Sequence, residues 1–230
     1  MKSRIIHSTP TPSRRVQFSP EWRGEEAFLI GGGTSVQIEA VNALRDRPGA
    51  HVIVLNSSYR AFPWAEMLFF ADERWVREEL QERRATFEAY PGRVLSILEN
   101  DRYDAYTERT IRETTPGLSL DPSRVFLHFT ATRGAMNVAL HMGVRRLVLV
   151  GIDNRDGDEV LPNGEPRVHF HEGYHWHRAP HTWKAKLREM ETTVAPLAAA
   201  GIEVINASPI STLPWWPKVD LAEWLKENPA

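Results

Sequence analysis

The sequence predicts an α/β protein: a single Rossmann-like domain with a mostly parallel sheet, helices on both faces and a His-rich lid. Three observations lead there. Short, continuous apolar runs recur along the chain and stop at small, polar or acidic residues, as strands buried on both faces do. Stretches with apolar residues at helical spacing separate them, as right-handed βαβ crossovers require. Hydrophobic residues make up 42% of the 230, enough for one full core, and no internal repeat or convincing boundary divides it.

Residues 1–24 carry Pro10, Pro12 and Pro20 among Ser, Thr and Arg, which reads as a flexible N-terminal arm before a domain over 25–230. Ala27 to Ile30 is the first strand and stops at three glycines. Val36, Ile38, Ala40, Val41 and Leu44 then fall mostly at helical spacing, up to Pro48-Gly49. His51 to Asn56 and Glu66 to Phe70 are the next strands, followed by a charged helix from Asp72 to Arg84. Arg93 to Leu98 and Ser123 to Phe129 read as strands, and Arg133 to Met142 as a helix. Arg145 to Gly151 is the clearest buried strand. A lid occupies about 154–180, and one long helix runs from about His181 to Ala200, closed by Gly201. Ile202 to Asn206 is the last strand and Asp220 to Lys226 a terminal helix.

Bulk composition excludes several classes. Without cysteine there is no disulfide, thiolate nucleophile or Cys-ligated zinc. A formal charge of −2 rules out a whole-chain basic footprint, although Lys2, Arg4, Arg14 and Arg15 crowd the N-terminus as a solvated tail or a local patch. No apolar stretch is long enough to span a membrane and no signal-peptide pattern opens the chain, so a cytoplasmic protein is expected.

In open parallel sheets, ligands sit at the carboxyl ends of the strands. That rule selects Gly31 to Ser35, Asn56 to Ser58, Ala71-Asp72, Thr130 to Gly134, Gly151 to Asp153 and Asn206 to Ser208. In the turn Gly31-Gly32-Gly33-Thr34-Ser35, glycines permit close approach to backbone N–H groups, and the next helix adds its N-terminal partial charge. The turn therefore reads as a phosphate cradle, or as a tight strand–helix connection. It matches neither G-x-G-x-x-G nor a P-loop. Thr130 to Gly134, with Thr132 and Arg133, opens a second helix that suits an anion, or is a plain capped start.

Five of the nine histidines lie at His169, His171, His175, His177 and His181, with Glu172, Tyr174 and Trp176 interleaved. Three readings fit: a general base titrating near neutral pH, a metal site completed by Glu172 or Asp153, or loop histidines packed with aromatics. Asp153 is the best-placed acid for a ribose or a diphosphate-bound cation, whereas Asp156 and Asp158 suit a solvated turn. The segment Pro214-Trp215-Trp216-Pro217 suits core packing, a contact between copies in a homo-oligomer or a substrate wall.

Several strand-end motifs together resemble the family 42 sialyltransferases and the related MptE-like proteins. Ile30 to Ser35 resembles their glycine turn, and Val54 to Ser58 resembles the next strand, where a family Asn contacts the nucleotide. Thr132-Arg133-Gly134 resembles the opening of a helix leading into a strand that ends Gly151-Ile152-Asp153. The histidine segment, long helix and Ile202 to Pro209 resemble the family's lid and closing strand. The layout is also similar to proteins of tailed-phage genomes, which would mean host cytoplasm. The resemblance implies a metal-independent glycosyltransferase that needs no cofactor beyond its donor substrate, a nucleotide sugar linked to CMP or another nucleotide. Gly31, Gly32, Gly33, Thr34, Ser35, Asn56, Thr132, Arg133, Gly134 and Asp153 would bind the donor. His175 or His177 would activate an acceptor hydroxyl on a glycan or a modified DNA base. Asn154 and Arg155 stand where the family has phosphate-binding tyrosines; Arg155 or Tyr174 would replace them. Two alternatives remain: an MptE-like diphosphotransferase holding Mg²⁺ at Asp153 with Asp156 or Asp158, and a non-catalytic protein that sequesters a nucleotide.

Overall fold

The computed structural model describes residues 15–99, 101–114, 116–126, 130–172 and 182–229. Seven strands form one parallel sheet: β1 (Glu26–Ile30), β2 (Ala50–Leu55), β3 (Met67–Phe70), β4 (Arg93–Ser96), β5 (Glu108–Arg109), β8 (Arg146–Val150) and β9 (Glu203–Asn206). Their spatial order is β5-β4-β3-β2-β1-β8-β9. β6 (Ile111–Glu113) and β7 (Arg124–Phe126) pair in a separate parallel ribbon. The expected α/β, mostly parallel architecture is therefore present, but the strand read at Ser123 to Phe129 belongs to the ribbon rather than to the main sheet.

Alternation along each strand feeds two cores, as a pleat of period two dictates. Ala27, Leu29, Ile53, Met67, Leu147 and Leu149 face one side, packed by α4 (Ala131–Met142), α5 (Thr182–Glu191) and α6 (Val194–Ala199). Phe28, Ile30, Val52, Val54, Leu68 and Val150 face the other, covered by α1 (Ile38–Asn42), α2 (Glu73–Glu82), α3 (Arg84–Glu88) and α7 (Leu221–Glu227). Every residue of β1 is buried, which explains why its sequence shows no polar alternation.

Two expectations change. Part of the arm is packed: Val16, Phe18 and Trp22 are buried in the first core, and Trp22 stacks on His51 with ring centroids 4.4 Å apart. His51 in turn lies between Glu25 (2.5 Å) and Glu66 (2.7 Å). The long helix is broken after Glu191. Pro196 has no N–H for the carbonyl of Thr192, and the Thr192 and Thr193 hydroxyls instead donate back to Glu189 and Met190 carbonyls at 2.8 and 2.7 Å. Trp215 and Trp216 are half-buried against the first core. Among the described residues, no helix is long and apolar enough to cross a membrane.

Candidate functional site

The strand order reverses between β1 and β8: the chain runs outward through β2 to β5 on one side of β1, and returns through β8 and β9 on the other. Loops leaving β1 and β8 diverge there and leave a crevice beyond the carboxyl ends. A cleft of about 730 Å³ lies at that place. Gly31, Gly32, Gly33, Asn56, Thr132 and Asp153, all expected at the site, line it.

The glycine turn is tied down from β8. Gly31 N–H donates to the Val150 carbonyl and Gly33 N–H to the Gly151 carbonyl, each at 2.8 Å. One Asp153 oxygen accepts the Ser35 N–H at 3.0 Å and the Thr34 hydroxyl at 3.5 Å, and the other accepts the Ser35 hydroxyl. Hydroxyls expected to meet a phosphate are therefore turned onto a carboxylate of the same chain. Gly33 is required by this approach, because a Cβ there would come within 2.5 Å of the Asp153 carboxyl carbon. The N–H groups of Gly32 and Thr34 have no partner among the described residues.

This commitment of Asp153 also bears on a cation. With both oxygens engaged in the turn, Asp156 accepting the Trp183 indole N–H at 3.1 Å and Asp158 paired with Arg155, the three acids do not converge as open oxygen ligands. They do not fit the Mg²⁺ site of the diphosphotransferase alternative.

Asn56 differs from its neighbours. It follows β2 in the left-handed region, with φ 47°, which non-glycine residues adopt only under constraint. Its side-chain oxygen is buried and accepts no hydrogen bond among the described residues. Among the described residues, Asn154, with φ 53°, is the other non-glycine residue in this region, and it also lines the cleft. Its amide donates to Thr212 Oγ1 at 3.0 Å. Backbone strain thus gathers at the two strand ends flanking the turn.

Thr130 caps α4, accepting the Thr132 N–H at 3.3 Å, and Thr130 to Thr132 present the start of that helix to the cleft. Arg133 and Gly134 are not brought there. Arg133 is fully buried on the core side of α4, paired with Glu189, donating to Thr192 Oγ1 at 2.7 Å and lying 3.9 Å from the centre of the Phe126 ring. It joins α4 to α5. All of α4 from Thr132 to Ala139 is buried, and that run of small and apolar residues is the signal that Arg133 lies inward.

His175 and His177 lie outside the described residues, as does 173–181 throughout. The described part of the lid begins with a hairpin, in which Gly157 N–H donates to the Arg167 carbonyl and Leu161 N–H to that of Glu165. It ends lying on the glycine turn. The Gly32 carbonyl accepts the Phe170 N–H at 3.0 Å and stands 3.2 Å from His169 Nδ1. A carbonyl partner requires the proton on Nδ1, so a neutral His169 has its lone pair on Nε2. His171 stacks on His169 at 5.1 Å, and burial pushes its imidazole down to about 4. Both rings line the cleft.

Trp183 and Lys186, which were not expected there, complete it together with the expected Asp72. Trp183 and Lys186, from the first turns of α5, form the far wall, with the Lys186 ammonium 4.6 Å from the indole centre. Asp72 caps α2 through the N–H groups of Arg74 and Trp75 at 2.8 and 3.3 Å and lines the opposite wall. Their placement at helix starts just after a strand end or the lid is the signal that points to them.

No protein-family model matches the chain, and no curated protein matches it. Among solved structures it is similar to the monofunctional alpha-2,3-sialyltransferase Cst-I from Campylobacter jejuni, with a TM-score of 0.52 and 10% identity over 86% of this chain and 82% of that one. Weaker likenesses are to the sialyltransferase CstII of the same organism, in complex with cytidine-5'-monophosphate (TM-score 0.44, 13% identity, 87% of each chain) and with CMP-3FNeuAc (0.43, 11%, 86% and 87%). The likeness to Cst-I is one of fold: this chain has the Rossmann-like architecture of a sialyltransferase.

Proposed function

We propose that the cleft binds a nucleotide sugar and that the protein is a glycosyltransferase. The observation that carries this reading is Asn56: a buried, unpartnered amide oxygen on a strained residue in a cleft large enough for a nucleotide. An orphaned acceptor of this kind costs stability unless a ligand donor meets it, and the exocyclic amine of a nucleobase is such a donor. The switch-point position and the fold shared with a sialyltransferase support the same reading.

In this proposal the donor lies across the strand ends, its base at Asn56 and its phosphate towards the backbone N–H groups of Gly32 and Thr34, the Thr132 hydroxyl and the Lys186 ammonium. Asp153 acts from beneath, holding the turn. Lys186 is a cation suited to the charge that builds on a departing phosphate, so no metal is needed for that purpose. A lid histidine, His175 or His177, takes the proton of the acceptor hydroxyl. That oxygen bonds to the anomeric carbon as the bond to the nucleotide phosphate breaks, and the leaving phosphate keeps the electron pair.

A thermal-shift screen with CMP, UDP, GDP, ATP and their sugars, with and without Mg²⁺, tests the binding step. A ligand at about 100 times its Kd adds roughly 2.7 kcal/mol. Asn56→Ala should weaken the responding nucleotide roughly tenfold, the worth of one buried hydrogen bond. Absence of a shift with every nucleotide overturns the proposal. Tight binding with no donor turnover leaves a nucleotide-sequestering protein instead. Donor hydrolysis unchanged in a His175→Ala/His177→Ala variant rules out both as the base.

A further inference from the structure

The Gly31 carbonyl accepts the hydroxyl of Ser58 at 2.8 Å, and the bond is buried. Ser58 itself has no exposed surface and does not line the cleft. Its neighbours hold it in place. Ser57 accepts the Trp75 indole N–H at 2.9 Å, and Tyr59 and Arg60 both donate to the Glu79 carboxylate, Arg60 through Nε at 3.0 Å. Three of these four consecutive residues are thus tied to α2, and the fourth, Ser58, reaches the residue that follows β1.

A trans peptide unit is planar, so its C=O and N–H point in opposite directions. The Gly31 C=O and the Gly32 N–H share one such unit. A donor fixed on that carbonyl therefore fixes where the N–H points. The units on either side have their own anchors. Gly31 N–H donates to Val150 at 2.8 Å, and the Gly32 carbonyl accepts the Phe170 N–H at 3.0 Å. The unit between them is flanked by glycine on both sides, which offers little backbone resistance to its turning over. Turned over, it would present a carbonyl oxygen where an incoming phosphate needs a donor. Gly32 lines the cleft, and its N–H has no partner among the described residues.

We propose that Ser58 is a positioning residue: its hydroxyl orients the Gly31–Gly32 peptide so that the Gly32 N–H faces the cleft, ready for a phosphate oxygen. The role rests on the nucleotide reading of the cleft, and Ser58 acts through Gly32 without touching the ligand. A donor aimed in advance needs no reorganisation when the charge arrives. The nucleobase end of the site, at Asn56, does not depend on this peptide.

The test is an NMR titration of the full chain labelled with nitrogen-15. The probes are CMP, AMP and GMP, whose bases each carry an exocyclic amine for Asn56, the three matching nucleosides, and inorganic phosphate. In the unaltered protein the Gly32 amide signal should move with the monophosphates and with inorganic phosphate. Ser58→Ala should weaken the monophosphate that binds by roughly tenfold or more, since the bond lost is to a charged group, and leave its nucleoside within about twofold. A loss that falls equally or more heavily on the nucleoside gives Ser58 a general structural role and overturns the proposal; so does no loss at all. Binding of no nucleotide or nucleoside by the unaltered protein removes the donor site, and inorganic phosphate then decides the role of Ser58. A Gly32 signal that moves in the unaltered protein and not in Ser58→Ala keeps the positioning role at an anion site. One that moves in both alike, or in neither, overturns it.

Discussion

Asp153, at the end of β8, accepts the Ser35 N–H at 3.0 Å, so the loop that follows β1 is held in shape by the loop that follows the neighbouring strand. Asp153 is 3% exposed, and its carboxylate fills the position that an anion takes in many glycine turns. Asp153→Ala strands the Ser35 N–H and two hydroxyls. We expect a loss of about 2–3 kcal/mol in urea unfolding, together with loss of any nucleotide-induced thermal shift. Asp153→Asn, which keeps an acceptor for the N–H, should lose less.

Asn56 pairs strain with an unmet acceptor. Glycine adopts its φ of 47° without penalty, so Asn56→Gly should leave the unliganded protein as stable or raise it by roughly 0.5–1 kcal/mol, while nucleotide affinity falls. Opposite movement of unfolding free energy and ligand affinity is the signature of a residue kept for binding rather than for folding. A parallel loss of both would assign Asn56 a structural role.

His171 makes the lid sensitive to acid. Its folded pKa of about 4 lies below the 6.5 of a free imidazole, so the unfolded chain binds the proton more readily. Stability from this group is complete above about pH 6.5 and falls as pH drops towards 4, at a slope of about 1.4 kcal/mol per pH unit. Burial lowers His141 in the same direction, adding to the fall. His171→Gln should flatten Tm against pH between 4 and 6.5 relative to the unaltered protein; an unchanged profile would remove His171 as its source.

Arg133 is a buried cation whose worth depends on Glu189. Arg133→Ala removes a fully buried guanidinium with its bonds to Glu189 and Thr192 and leaves a cavity beside Phe126, and should cost about 3–5 kcal/mol. Arg133→Met/Glu189→Met, which removes both charges and fills the space, should recover much of the loss in chemical unfolding. Because the pair joins α4 to α5, hydrogen exchange in the first turns of α5 should rise in the alanine variant.

Strands buried on both faces are legible because burial leaves an unbroken apolar run, as in β1 and β8. β5 and β6, with two and three residues, leave too short a run to register. The arm reads as loose because proline and serine dominate it, while Val16, Phe18 and Trp22 alternate with polar residues and bury only through contacts far along the chain. At the site, small and polar strand ends mark Gly31 to Gly33, Asn56 and Asp153 by residue type. Direction is what residue type does not carry. Arg133 has the chemistry of a phosphate ligand and points into the core, and Asp153 has that of a ribose or metal ligand and points into the turn.

The central pairing of β1 with β8 joins residues such as Glu26 and Arg146, 120 positions apart in sequence. During synthesis, β1 to β4 can associate as their residues emerge, but the crevice has no second wall until β8 arrives. Ribosome-bound chains ending before β8 would therefore lack the cleft proposed to bind a nucleotide. Late, long-range closure of this kind slows folding and leaves the apolar edge of β1 uncovered meanwhile, so a ligand that bridges both walls favours completion of the fold as well as occupancy of the site.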